Sequence, residues 1–203
     1  MSNERHWNHV YATRSAASLP WHQARARQSL ELIESVAGCD AHLIDVGGGA
    51  STLVDELLDH GWRDVTVLDI ASAALEIACA RLGERARQVT WLQADVTTVA
   101  LPAAHYDVWH DRGVFHFLTD RERRAAYVRQ VRHSVRPGGH VLVAAFGPDG
   151  PRHCHGLPVV RFSAEQLHAE LGEAFQLVGH VEEEHRTPSG GTQHFVYCHC
   201  LLH

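Results

Sequence analysis

The chain has 203 residues, 45% of them hydrophobic and 21% charged, the proportions of one globular domain spanning 1–203 around a single core. Its formal charge of -6 is spread without a basic block, which removes the electrostatic term that drives nucleic-acid binding, and its apolar runs, such as Val141 to Phe146, are too short for a bilayer helix. Met1 to His6 are polar where a secretory signal would be apolar, so the expected location is the cytoplasm, and the five cysteines read as free thiols, ligands or core rather than as a disulfide framework.

Lysine is absent and histidine numbers 18, a pattern that reads as coding bias before it reads as chemistry. Residues 1–21 form a polar arm dotted with Trp7, Tyr11 and Trp21. Ala26, Leu30, Ile33 and Val36 then fall at helical spacing and predict a helix over 22–37. His42 to Val46 predicts a strand that runs into Gly47-Gly48-Gly49, with Ser51 placed to cap the helix that ends near Gly61. The unit repeats: a strand at 65–68 ends at Asp69, Ser72 is placed to cap a helix over 73–82, and a strand at 88–93 ends at Asp95. A fourth strand, 106–110, leads into Asp111 and Arg112, and a charged helix from Asp120 to Val135 stops at Arg136-Pro137-Gly138-Gly139. A fifth strand over 140–146, a helix over 164–171 and two extended stretches, 175–184 and 192–202, complete the chain; the turn Thr187 to Gly191 joins the last two as an antiparallel hairpin. The expected fold is therefore α/β: a doubly wound, mostly parallel seven-stranded sheet with a C-terminal antiparallel hairpin.

In such sheets ligands bind beyond the carboxyl ends of the strands, where strand order reverses. Asp45-Val46-Gly47-Gly48-Gly49 puts glycines there, where the backbone turns sharply and approaches a ligand without a Cβ in the way. Asp69, at the end of the next strand, is placed to accept from both ribose hydroxyls of a nucleoside. A nicotinamide dinucleotide fits the same pair. Thr52 stands where a pyrophosphate turn wants its third small residue, however, and Asp95 ends the third strand where an adenine amino group needs an acceptor; both favour a different nucleoside cofactor.

Asp45 to Gly49, Asp69, Ala94-Asp95 and Arg136 to Gly139 resemble the successive motifs of class I S-adenosylmethionine-dependent methyltransferases, over Leu43 to Phe146. The resemblance implies S-adenosylmethionine as cofactor, with Asp45, Gly47 and Gly49 near the methionine, Asp69 on the ribose, Asp95 on the adenine, and Ile70 and Val96 on either face of the adenine ring. The arm is similar to that of the elongation-factor lysine methyltransferase subgroup, which implies that Trp7, Tyr11 and Trp21 lie over the cofactor; aromatic anchors pinning a terminus are the alternative. Tyr106 to Gly113 is similar to thiopurine methyltransferases.

Residues after the fourth strand are expected nearest the methyl group. His110 and His116 are the candidate bases, and Asp111 is the first candidate for ligand contact. No residue is assigned as a metal ligand, although Cys154, Cys198 and Cys200, reminiscent of arsenite methyltransferases, raise the idea of a soft acceptor; buried core cysteines are the alternative. The expected activity is methylation of a small molecule, such as a thiol or metalloid nucleophile, with no nucleic-acid or membrane partner. The competing readings are a protein lysine methyltransferase and a non-catalytic S-adenosylmethionine- or metal-binding protein.

Overall fold

A computed structural model describes residues 3–203; Met1 and Ser2, the first residues of the arm, lie outside the described residues. In chain order the elements are α1 (Asn3–Thr13), α2 (Arg27–Val36), β1 (His42–Val46), α3 (Leu53–Asp59), β2 (Asp64–Asp69), α4 (Ser72–Leu82), β3 (Val89–Gln93) and β4 (Tyr106–Arg112), then α5 (Arg121–Ser134), β5 (Val135–Phe146), a two-stranded ribbon β6 (His153–Cys154) and β7 (Leu157–Pro158), α6 (Ala164–Leu171), β8 (Phe175–Arg186) and β9 (Thr192–Leu202).

Seven strands form one sheet in the order β3-β2-β1-β4-β5-β9-β8. The first five are parallel to one another, while β9 is antiparallel to both β5 and β8. Connections move outward in one direction from β1 to β3 and in the other from β4, so strand order reverses between β1 and β4. Helices α2, α3 and α4 cover one face through Leu30, Ile33, Leu57 and Leu75. Helices α5 and α6 cover the other through Tyr127, Val131, Leu167 and Leu171. Fully burying an apolar side chain of this size contributes about 1.5–3 kcal/mol, so two such layers supply the bulk of the folding free energy. No helix among the described residues is long and apolar enough to cross a membrane.

The expected architecture is present, with corrections at its edges. The first core helix starts at Arg27 instead of residue 22, because the Glu56 carboxylate takes the Ala26 N–H at 2.7 Å and the Arg25 Nε at 2.8 Å and holds 22–26 out of the helix. Ser51 accepts from the Leu53 N–H at 3.1 Å, but the residue flanking α3 is Thr52. Ser72 is the first residue of α4 rather than its cap, and the capping acceptor comes from the arm: Asn8 Oδ1 on α1 takes the Ala73 N–H at 3.0 Å. Asp120 caps α5 by accepting from Glu122 and Arg123. The fifth strand begins at Val135, immediately after α5, and Arg136 to Gly139 form an irregularity within it rather than a loop before it. The fourth strand runs on through Asp111 and Arg112.

Candidate functional site

Two contiguous cavities open at the carboxyl ends of β1 and β4, the expected crevice. Tyr11, Trp21, Val46, Gly47 and Arg112 line both. The larger, about 900 Å³ with its mouth included, has Asp69 and Ile70 from the end of β2 and Asp95 and Val96 from the end of β3 on one wall. Trp7, Phe117, His116, Phe146, Cys154 and Phe195 line it as well. The smaller is lined by His22, Gln23, Ser29, Asp45, Gly48 and His110.

The glycine turn is built around the acids. Gly47 and Gly49 adopt φ of +73° and +37°, a left-handed region that glycine enters without steric cost. Gly47 lines both cavities, whereas Gly49 lines neither: a Cβ on it would lie 2.5 Å from Asp69 Oδ2. A Cβ on Gly48 would overlap the Asp45 carboxylate. Asp69 is buried, and among the described residues it takes hydrogen bonds from the Ile70 and Ala71 backbone alone. Burial, with the nearby Asp45 adding to it, pushes its pKa up to about 7. A carboxylate so desolvated at a cavity wall is short of donors, and a pair of ligand hydroxyls would supply them.

Asp95 is better satisfied. Its Oδ2 accepts from Arg123 on α5 at 2.7 Å, and its Oδ1 from the Thr97 backbone at 2.9 Å and hydroxyl at 2.7 Å. It lines the cavity with its charge already paired.

Successive side chains on a strand point to opposite faces, and β4 divides the candidates accordingly. Asp111 faces α5, fully buried, and accepts from the Tyr127 hydroxyl at 2.7 Å, the Val114 N–H at 2.8 Å and the Phe115 N–H at 3.1 Å. Burial raises its pKa to about 6. It lines neither cavity, so the expectation of ligand contact by Asp111 is corrected: it braces the turn after β4 and the Tyr127 and Trp109 pair behind it.

His110 faces the other way, toward α2. Its Nδ1 stands 2.7 Å from Asp45 Oδ1 and its Nε2 2.9 Å from Ser29 Oγ. With both nitrogens engaged and the ring buried, it holds Asp45 beneath the glycine turn rather than offering a free lone pair to an acceptor. The chain of contacts continues. Ser29 Oγ lies 3.1 Å from the Tyr197 hydroxyl, which donates to Glu183 Oε2 at 3.2 Å; that oxygen also accepts from Arg112 at 2.9 Å. Arg112 in turn lies over the Phe195 ring, 4.1 Å from its centroid. A buried polar line thus links the motif acid Asp45 to the one arginine on the wall shared by both cavities.

His116, on the short turn Phe115–Phe117, reaches the larger cavity. It stacks on Phe146 at 4.4 Å, and its Nδ1 accepts the Phe146 N–H at 3.3 Å. Burial, with Arg112 adding to it, lowers its pKa to about 3. The ring is therefore neutral, with its proton on Nε2, and it presents a donor where a base was expected.

Cys198 Sγ and Cys200 Sγ lie 3.5 Å apart, but Cys154 does not join them. Cys154 lines the larger cavity and burial pushes its thiol up to about 11. Cys198 and Cys200 pair with Val143 and Val141 and lie in the core on the α5–α6 face, whereas Cys154 packs with Phe146, Phe195 and Tyr197 on the opposite face. The idea of a soft ligand set built from all three is corrected by strand alternation.

Sequence reasoning missed Arg123, Glu183, Phe117 and Phe195. Their signal is weak because each arrives from a separate element, and only the sheet order brings the hairpin residues Glu183 and Phe195 against Arg112. The arm residues Trp7, Tyr11 and Trp21 are together at the cavity wall, with Trp7 5.6 Å from Trp21 and 5.0 Å from Phe117 between ring centroids.

Comparison with known proteins agrees with this geometry. A family model described as a methyltransferase domain matches residues 43–139. The eEF1A lysine and N-terminal methyltransferase of Mus musculus is 25% identical over 138 residues, which are 68% of this chain and 19% of that protein. The EEF1A lysine methyltransferase 2 of Danio rerio is 29% identical over 112 residues, 52% of this chain and 48% of that one. The chain thus spans between about a fifth and about half of the length of these curated relatives. Among solved structures, a protein from work on conversion of a disulfide bond into a thioacetal group during echinomycin biosynthesis superposes with a TM-score of 0.78 at 18% identity, over 98% of this chain and 91% of that chain. The Burkholderia thailandensis 1,6-didemethyltoxoflavin-N1-methyltransferase, solved with S-adenosylhomocysteine, superposes with a TM-score of 0.67 at 21% identity, over 99% and 84%. The solved structures share this fold, and the methyltransferase-domain match, which contains the glycine turn and the acids at the end of β2 and after β3, supports a class I S-adenosylmethionine-dependent methyltransferase.

Proposed function

We propose that this chain methylates a small acceptor inside the larger cavity, beneath its amino-terminal arm. The observation that carries this reading is the aromatic enclosure: Trp7, Trp21, Phe117, Phe146 and Phe195 line one cavity together with Asp69, Asp95 and Arg112, the mostly apolar lining with a few polar groups that small-molecule sites present. S-adenosylmethionine, when bound, supplies an electrophilic methyl group on a sulfonium. Asp69 would hold the ribose, Ile70 and Val96 the faces of the adenine, Asp95 its edge, and Gly47 with Asp45 the methionine end. Trp7, Tyr11 and Trp21 would exclude water and offer ring faces to positive charge.

His116, neutral and donating, orients an acceptor rather than deprotonating it, and Arg112 beside it has its charge paired with Glu183. An acceptor that brings its own free lone pair suits such a wall: a thiolate, or a ring nitrogen of the kind methylated by the toxoflavin enzyme. The names of the curated relatives favour a second reading, a protein lysine acceptor entering through the cavity mouth. Incubation with methyl-labelled cofactor, a panel of thiols and nitrogen heterocycles, and a cell extract tests both. Label in solutes supports the first reading, label in protein alone supports the second, and no release of S-adenosylhomocysteine under any condition overturns both.

A further inference from the structure

Away from the crevice, at the amino ends of the parallel strands, three side chains converge. His42 opens β1, Asp64 opens β2 as its register partner, and His105 immediately precedes β4. His42 Nδ1 lies 3.3 Å from His105 Nε2 and 3.4 Å from Asp64 Oδ2, and the three ligand atoms all lie within 4.8 Å of one another. In a tetrahedral zinc site with bonds of about 2.0–2.1 Å, neighbouring ligand atoms are about 3.3–3.4 Å apart. Two of the three edges already have that length, and the third is no longer than 4.8 Å.

We infer that His42, Asp64 and His105 form a binding site for one divalent cation of the zinc class. Two imidazoles and a carboxylate are the donor set that borderline cations select. The backbones carrying the two rings are fixed independently of any ion: the His42 N–H donates to Asp107 Oδ2 at 2.8 Å, the His105 N–H to Ser134 O at 2.7 Å, and His105 O accepts from Arg136 at 2.8 Å. A simple ion pair would need His42 and Asp64 alone. Here a second imidazole nitrogen, His105 Nε2, stands 3.3 Å from His42 Nδ1, adding a third ligand atom to the pair that a cation would draw together. The side chains of His42 and Asp64 are half-buried, which leaves the fourth position to water. Bound there, the ion ties β1, β2 and the entry to β4 together at the end of the sheet opposite the crevice, a stabilising clip outside the transfer chemistry. The nearby pair His140 and His199, with nitrogens 3.0 Å apart, belongs to no such three-ligand group among the described residues and serves as a control.

The test is calorimetric titration of the chelator-stripped full chain with zinc chloride near pH 7.5, beside Asp64→Asn, His105→Gln and His140→Gln. The expected result is one equivalent bound at least tenfold more weakly by Asp64→Asn and by His105→Gln, and unchanged in His140→Gln. The melting temperature should rise with zinc in the parent and in His140→Gln only, while all four proteins bind S-adenosylhomocysteine alike and so report an intact fold. Zinc binding that is absent from the parent, equal in parent, Asp64→Asn and His105→Gln, or lost equally in His140→Gln overturns the inference.

Discussion

The Asp69 carboxylate stands against the Cα of Gly49, so that a single added methyl group would meet Oδ2 at 2.5 Å. Gly49→Ala, also strained by its φ of +37°, is therefore expected to displace Asp69 rather than to block the cavity directly. S-adenosylhomocysteine affinity should fall roughly tenfold, about 1.4 kcal/mol, with most of the fold's stability kept. Calorimetry on the variant checks this, and unchanged affinity would show that the turn tolerates a Cβ.

Asp69 itself carries a pH signature. Its folded pKa of about 7 lies above its ordinary value of 3.8, so the native chain holds more protons than the unfolded one between those values, and this group's contribution to stability falls as pH rises from about 4 to about 7. Asp69→Asn should accordingly be more stable than the parent at pH 8, by up to about 4 kcal/mol, and nearly equal to it at pH 4, as read from melting curves at the two pH values. The same variant should weaken S-adenosylhomocysteine binding at pH 8, where the parent carboxylate is ionised. A variant less stable than the parent at pH 8 contradicts the desolvation argument.

His116 runs in the opposite direction. Its folded pKa of about 3 lies below the ordinary 6.5, so its contribution is complete above about 6.5 and is lost as pH falls toward 3. His116→Phe keeps the stacking on Phe146 but leaves the Phe146 N–H without its acceptor, costing about 1–3 kcal/mol at neutral pH, and it should flatten the acid limb of the stability curve. The rate of methyl transfer in the parent should show no inflection from this ring between pH 5 and 9; an inflection that disappears in the variant would restore it as a base.

The arm offers a test of enclosure. Asn8 of α1 caps α4, and Trp7 and Tyr11 line the cavity. Deleting residues 1–20 should abolish transfer, cost about 1 kcal/mol for the lost cap together with the lost aromatic packing, and leave the sheet folded by circular dichroism. Full turnover by the truncated chain would reduce these rings to anchors.

The cysteines separate by face. Replacing Cys198 or Cys200 with Ser buries a hydroxyl in the apolar core and should destabilise by about 1–3 kcal/mol, without changing turnover per folded molecule. Cys154→Ser, at the cavity wall, should change the acceptor KM instead. Initial rates and melting curves on the three variants decide the matter.

What was legible in the sequence follows from what is local. Alternating strands and helices, the glycine turn and the acids at the ends of β2 and β3 are written in periods of a few residues, and all stand where expected. Ending the fourth strand at His110 puts Asp111 in a loop facing the crevice; the strand runs two residues further, and the side chain turns instead toward a tyrosine sixteen positions later. The late start of α2 depends on Glu56, thirty residues ahead of Ala26, and no periodicity near residue 22 contains that information.

The sheet order carries a consequence for biosynthesis. β9, the last strand in the chain, lies in the interior of the sheet between β5 and β8, and its Phe195 and Tyr197 complete the packing around Arg112 and Glu183. A nascent chain emerging in order can assemble the five parallel strands early, yet β8 has no partner and Arg112 no finished surroundings until the ribosome has delivered residues 192–202. The surroundings of Arg112 are thus unfinished until residues 192–202 have joined the sheet, and a truncation before residue 192 would remove an inner strand.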